Sequence, residues 1–114
     1  MTETTSSISI VIPTLNEAAE LPETLRRLRA VPEVKEVIIA DGGSRDDTVK
    51  LAEAAGCVVV NCAPGRGRQL RAGAERATGE VVLLLHADTW VPPEAGRALL
   101  TCLARPGVVA GGFY

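Results

Sequence analysis

Aromatic side chains are almost missing from this chain of 114 residues: Phe, Tyr and Trp make up 3% of it, against 46% hydrophobic residues overall. A core must therefore be built from Val, Leu, Ile and Ala, which suits aliphatic parallel strands covered by helices. A basic excess is missing too. The net charge is −2, whereas a broad nucleic-acid-binding face needs the opposite sign, so nucleic acid is not an expected partner. No apolar run approaches the roughly 20 residues that span a bilayer. The polar stretch Met1 to Ser7 has neither the positive region nor the apolar core of a signal peptide. Cysteine is scarce: Cys57, Cys62 and Cys102 are an odd set without metal-site spacing. They read as reduced thiols of a cytoplasmic protein.

Three familiar signatures are absent as well. The first apolar run is followed by Pro13-Thr14-Leu15-Asn16-Glu17, not by the Gly-x-Gly-x-x-Gly of a dinucleotide-binding dehydrogenase. There is no Gly-x-x-x-x-Gly-Lys-Ser/Thr phosphate loop and no Gly-x-Ser-x-Gly elbow. The length fits one small domain with one core.

What is present alternates regularly. Ile8 to Ile12 is a β-branched run ended by Pro13, a first strand. Leu21, Leu25 and Leu28 predict a helix over about 20–29, with Pro22 tolerated in its first turn. A second strand spans Glu36 to Ala40. The second helix is expected over about 45–55, with Ser44 as its N-cap, Asp46 and Asp47 at its positive end and Gly56 as its stop. A third strand, Cys57 to Asn61, leads into a helix over about 68–78 whose small residues Gly73, Ala74 and Ala77 allow close packing on a sheet. Gly79 ends that helix. The fourth strand runs from Glu80 to His86, and Asp88 follows it. Pro92 and Pro93 open a fourth helix, and Val108 to Ala110 is a short fifth strand.

Strands alternating with helices of about ten residues predict a Rossmann-like three-layer α/β/α fold with a mostly parallel sheet. In such sheets ligands bind outside the carboxyl ends of the strands. Four loops then share one rim: Pro13 to Glu17, Asp41 to Ser44, Ala63 to Arg68, and His86 to Asp88. An acidic side chain closing an apolar strand places charge where a divalent cation can hold a diphosphate. Arg66, Arg68 and Arg71 cluster at a helix start, either as a solvated basic face or as a site for diphosphate or acceptor.

The rim resembles that of the family 2 glycosyltransferases, which have the A-type nucleotide-sugar-binding fold. Four segments carry the resemblance. They are Ser9-Ile10-Val11-Ile12-Pro13-Thr14-Leu15-Asn16-Glu17, Ile39-Ala40-Asp41-Gly42-Gly43-Ser44-Arg45-Asp46-Asp47-Thr48, Arg66-Gly67-Arg68-Gln69-Leu70-Arg71-Ala72-Gly73-Ala74 and Leu84-Leu85-His86-Ala87-Asp88-Thr89. The resemblance implies a nucleotide-sugar donor, by default a UDP-sugar, with an acceptor of unknown class and inverting, metal-assisted transfer. It implies that Pro13, Thr14 and Glu17 line the nucleotide pocket. Asp41 would hydrogen-bond the base, Ser44 would hold the loop beside it, and Arg68 would bind substrate. His86-Ala87-Asp88 takes the place of the family's Asp-x-Asp motif. Asp88 and His86 would hold Mg or Mn, and Ala87 would offer backbone near the ribose. His86 stands where Asp is usual; imidazole binds Mn better than Mg.

The family's catalytic base is expected beyond residue 114, so no catalytic residue is assigned and the chain reads as one domain, incomplete at its carboxyl end. An uncovered sheet edge there would favour self-association into a homo-oligomer. A lipid-linked acceptor would place the protein peripherally at the inner membrane. The rival reading is a non-catalytic nucleotide-binding or scaffold domain, which activity with a nucleotide-sugar would exclude.

Overall fold

The computed structural model describes residues 8–88, and the expected fourth helix and fifth strand lie outside them, as does Cys102. Four parallel strands form one sheet in the order β3-β2-β1-β4: β1 (Ile8–Thr14), β2 (Val34–Asp41), β3 (Val58–Asn61) and β4 (Val81–Leu84). Between them run α1 (Leu21–Leu28), α2 (Thr48–Ala54) and α3 (Arg66–Arg76).

The period-2 alternation of β1 divides the core. Ile8, Ile10 and Ile12 face Leu21, Leu25 and Leu28 of α1 and Ala52 of α2. Val11 faces the other way, with Ile38 and Ala40, toward Leu70 and Ala77 on the α3 side. Helices therefore cover both faces, as the Rossmann-like expectation required. On α3, closeness to the sheet depends on one glycine. A Cβ on Gly73 would stand 2.3 Å from Val11 Cγ1, a separation no real contact tolerates.

Several boundaries shift from expectation, β2 among them, which runs Val34–Asp41; four of the shifts have a local reason. Strand β1 does not stop before Pro13 but pairs through Thr14 with Asp41 of β2. Val11 O accepts from Leu85 N on the β4 side, so by alternation the missing N–H of Pro13 also points to that side. There the β1–β4 ladder has already ended at Val11 and Leu84, and proline costs no ladder bond. Strand β4 ends at Leu84, short of His86. The next residues turn toward α1, where Thr24 Oγ1 donates to Ala87 O.

Helix α2 begins at Thr48, not near Arg45, and Ser44 is not its cap. The Ser44 hydroxyl donates to Asp41 instead. Asp46 folds the approach to the helix by accepting from both the backbone N–H and the hydroxyl of Thr48. Helix α3 begins two residues earlier than expected. Gly65 turns the chain at φ 142°, and the Gln69 amide closes the first turn on Gly65 O. That φ favours glycine.

At the amino edge a polar cluster ties three segments together. Glu36 Oε2 accepts from Ser9 Oγ at 2.6 Å and from the amide and hydroxyl of Thr78 at 2.7 and 2.9 Å. Ser9 Oγ in turn accepts from Gly79 N. Burial pushes the Glu36 carboxyl up, but these bonds outweigh it and hold it below its ordinary value. Near this edge Cys57 is a free thiol pushed up to about 11 by burial, an inert group at neutral pH. Cys62 is also free.

Candidate functional site

With all strands parallel, the four loops meet on the carboxyl edge as expected. The chain leaves β1 toward β2 and later returns to place β4 on β1's other side. The β1–β4 boundary is therefore the topological switch point, where open α/β sheets form a binding crevice. The loop after β1 and the His86-Ala87-Asp88 turn flank it.

Asp41 organises the rim. It is 1% exposed, and its carboxylate takes four donors. Oδ1 accepts from Thr14 Oγ1 at 2.7 Å and Ser44 Oγ at 2.5 Å; Oδ2 accepts from Gly43 N at 2.9 Å and Ser44 N at 2.8 Å. Burial raises the Asp41 carboxyl, yet the Ser44, Thr14 and Gly43 donors together hold it below the usual carboxylate range. Thr14 and Ser44, both singled out from sequence, thus touch Asp41 directly. Pro13 sits just before Thr14 in the β1 strand and pairs with Ala40.

Asn16 joins the loops after β1 and β2. It stands at φ 57°, in the left-handed region that asparagine tolerates. Its N–H donates to Ser44 Oγ and its Oδ1 accepts from Arg45 N at 2.7 Å. Glu17 follows, with its N–H on Thr48 Oγ1. Burial raises the Glu17 carboxyl, and the charges of Glu20, Asp88 and Asp46 raise it further, against a lowering by His86. The loops after β1 and β4 therefore share one electrostatic field. The acidic side chains there crowd one another.

Asp88 is exposed, His86 half-buried and Ala87 buried. The Arg66 guanidinium, from the first turn of α3, contacts the His86 ring nitrogens. The Ala87 carbonyl is taken by Thr24. Arg68 lies along Gly65: its Cδ would stand 3.7 Å from a Cβ built there.

Among the described residues no three His, Cys, Asp or Glu side chains gather as a metal cage. Asp88 is exposed and would offer a divalent cation a hard oxygen ligand, while the His86 ring faces Arg66 and would have to leave it to add a nitrogen ligand, a set that would suit Mn better than Mg.

Three residues of this rim were not among the candidates read from the sequence: Asn16, Thr24 and Gln69. Gln69 is 6% exposed and bonds to Thr14 O, Ala40 O and Gly65 N. A sequence signal existed for it. Gln69 lies four residues before Gly73, on the helix face that meets the sheet.

A parallel α/β/α sheet with an ordered acidic rim at its switch point defines a Rossmann-like α/β domain. The sequence match is narrower: residues 9–114 fit the model of the family described as glycosyl transferase family 2, and the chain belongs to that family.

An undecaprenyl-phosphate 4-deoxy-4-formamido-L-arabinose transferase of Pseudomonas paraeruginosa is 40% identical over 118 residues, covering 93% of this chain and 35% of that protein. The chain thus spans about a third of the curated relatives it matches. Among solved structures, glucosyl-3-phosphoglycerate synthase of Mycobacterium tuberculosis, with Mn2+, UDP and glucosyl-3-phosphoglycerate, superposes with TM-score 0.70 at 28% identity over 85% of this chain and 39% of that one. A mannosyltransferase of Pyrobaculum calidifontis, with GDP-mannose and Mn2+, shares the fold at TM-score 0.79 and 23% identity, over 90% of this chain and 33% of that one.

Proposed function

We propose that residues 1–114 are the donor-binding part of a glycosyltransferase that takes a nucleotide-diphosphate sugar, UDP-sugar by default, and transfers the sugar with inversion. The observation that carries this reading is that Thr14, Glu17, Asp41, Ser44, His86 and Asp88 share the carboxyl edge of the sheet, around the switch point, in a chain of this family. In this reading Pro13, Thr14 and Glu17 line the nucleotide pocket. A nucleobase N–H reaches Asp41 by replacing a hydroxyl donor on Oδ1, because hydroxyls rotate away while the Gly43 and Ser44 amides stay on Oδ2.

Ser44 holds the loop, and Ala87 offers its N–H rather than its carbonyl. Arg66 and Arg68 meet the diphosphate, so Arg66 would exchange His86 for phosphate. Asp88, with His86, would hold the cation, which when bound supplies Lewis-acid stabilisation of the departing nucleoside diphosphate. The acceptor's base is assigned to no residue here.

The relatives named for undecaprenyl phosphate support a lipid-phosphate acceptor. Such an acceptor would bring the protein peripherally to the cytoplasmic face of a membrane. No described helix is long and apolar enough to cross one. A second reading, a non-catalytic nucleotide-binding or scaffold domain, is favoured by the Arg66 contact, which occupies His86.

Calorimetric titration with UDP, GDP and dTDP, each with Mn and again with EDTA, tests the donor site. Mn-dependent binding of one nucleotide, lost in Asp88→Ala, supports it and names the donor. Binding that ignores both Mn and Asp88 favours the scaffold reading. No binding under any condition rejects the donor site.

A further inference from the structure

Gln69 is a polar side chain almost fully buried between α3 and the sheet, and every polar atom of its carboxamide has a task. Nε2 donates to Thr14 O at 2.8 Å and to Ala40 O at 2.9 Å, the carbonyls at the carboxyl ends of β1 and β2. Oε1 accepts from Gly65 N at 3.1 Å. The partners leave no ambiguity of orientation, because two carbonyls need the NH2 and an N–H needs the oxygen. Thr14 O also accepts from Gly42 N at 3.0 Å. One side chain therefore joins three of the four rim loops. It does so at the two strand ends next to Asp41 and at the residue that launches α3.

The neighbouring backbone is shaped around it. A Cβ on Gly42 would stand 3.0 Å from both Gln69 Cδ and Oε1, and 3.1 Å from Pro64 Cα. Gly42 is not among the residues with positive φ, so its glycine identity answers to the space Gln69 occupies. A buried amide used only for packing would be an expensive choice, since each of its polar groups must be matched. An apolar side chain would fill the same volume.

We propose that Gln69 is a positioning residue for donor binding. Its carboxamide pins the first turn of α3, with Arg66 and Arg68, against the ends of β1 and β2. It thereby fixes where these guanidiniums meet the donor's diphosphate. The inference rests on the donor-site reading above. A guanidinium displaced by even 1 Å loses much of its directional bonding to phosphate.

The test is a double-mutant cycle on the full chain, read by nucleoside-diphosphate affinity at a temperature where every variant is folded. Arg66→Ala and Gln69→Leu should each weaken UDP at least tenfold. The pair should be no worse than Gln69→Leu alone, because an unpinned Arg66 contributes little that its removal could take away. Gly42→Ala, which leaves Gln69 in place but crowds it, should weaken binding in the same direction. Independent, multiplying losses for Arg66 and Gln69 would overturn the proposal, as would unchanged affinity in Gln69→Leu.

If the unmodified chain binds no nucleoside diphosphate, the donor reading fails, and amide hydrogen exchange still judges the clamp. Faster exchange at Gly42 and Gly65 in Gln69→Leu, with Ile12 and Ile39 unchanged, keeps the pinning. Equal exchange at all four discards it.

Discussion

At the amino edge of the sheet Glu36 is held by Ser9 and Thr78; at the carboxyl edge Asp41 is held by Thr14, Ser44 and Gly43. Both carboxylates sit in a ring of hydroxyl and amide donors, and both are held below their ordinary values. Their surroundings differ. Glu36 has Lys35 nearby, whose charge lowers it further. Asp41 belongs to a rim where Glu17, Asp46 and Asp88 crowd one another and raise Glu17. The amino edge is settled electrostatically by its own residues. The carboxyl edge gathers Glu17, Asp46 and Asp88 beside Arg66 and Arg68, the charge pattern on which the proposed donor site rests.

That contrast can be broken by substitution. The largest effect is expected from Asp41→Ala, which strands four donors in a buried place. Stability should fall by about 3 kcal/mol in urea unfolding, and nucleotide binding should vanish. Glu36→Gln removes the charged acceptor at the other edge. It should cost roughly 1–2 kcal/mol by the same measurement, yet leave nucleotide affinity of the folded chain within twofold. A large affinity loss there would erase the distinction between the edges.

The acid limb of stability sharpens it further. Glu36 and Asp41 both titrate lower in the folded chain than in the unfolded one. Their contribution is therefore present above the unfolded values, near pH 4, and is lost as pH falls through the lower folded values. Thermal melts between pH 3 and 7 should show that loss, and Glu36→Gln should flatten the slope. Glu17 has the opposite sign: its raised value favours the folded chain at acid pH, and that favour disappears as pH rises through the folded value. Glu17→Gln should therefore stabilise the protein at pH 7 by only about 0.3 kcal/mol, given solvent screening, and not at all near pH 4. Asp88→Ala, at an exposed position, should leave the melting temperature unchanged and remove only the Mn-dependent part of nucleotide binding.

Much of this architecture was legible in the chain. The leucines at 21, 25 and 28 and the β-branched runs named the helix, the strands and the parallel sheet, because periodicity reports which face is buried. The loops that converge on the rim could be read from strand order alone. The local chemistry could not. Ser44 was legible as a cap because Ser before an acidic pair is the usual cap pattern. A carboxylate three residues earlier competes for its hydroxyl, and only the fold brings Thr14 across to complete the same ring. Pro13 reads as a strand stop, and becomes a strand residue only because β4 is shorter than β1 at that end. The spacing from Gly73 puts Gln69 on the sheet-facing side of its helix, but its bonds were hidden because two of its partners lie 55 and 29 residues away. Its burial is a property of three loops rather than of its own segment.

The most direct test of the two-edge account is an amide chemical-shift titration of the chain with a nucleoside diphosphate and Mg, the diamagnetic stand-in for Mn. We expect shifts at Thr14, Glu17, Gly43, Ser44, Arg66 and Ala87, saturating together, with Ser9, Glu36, Thr78 and Gly79 unmoved. Shifts centred on the Ser9–Glu36–Thr78 cluster, or spread equally over both edges, would contradict it.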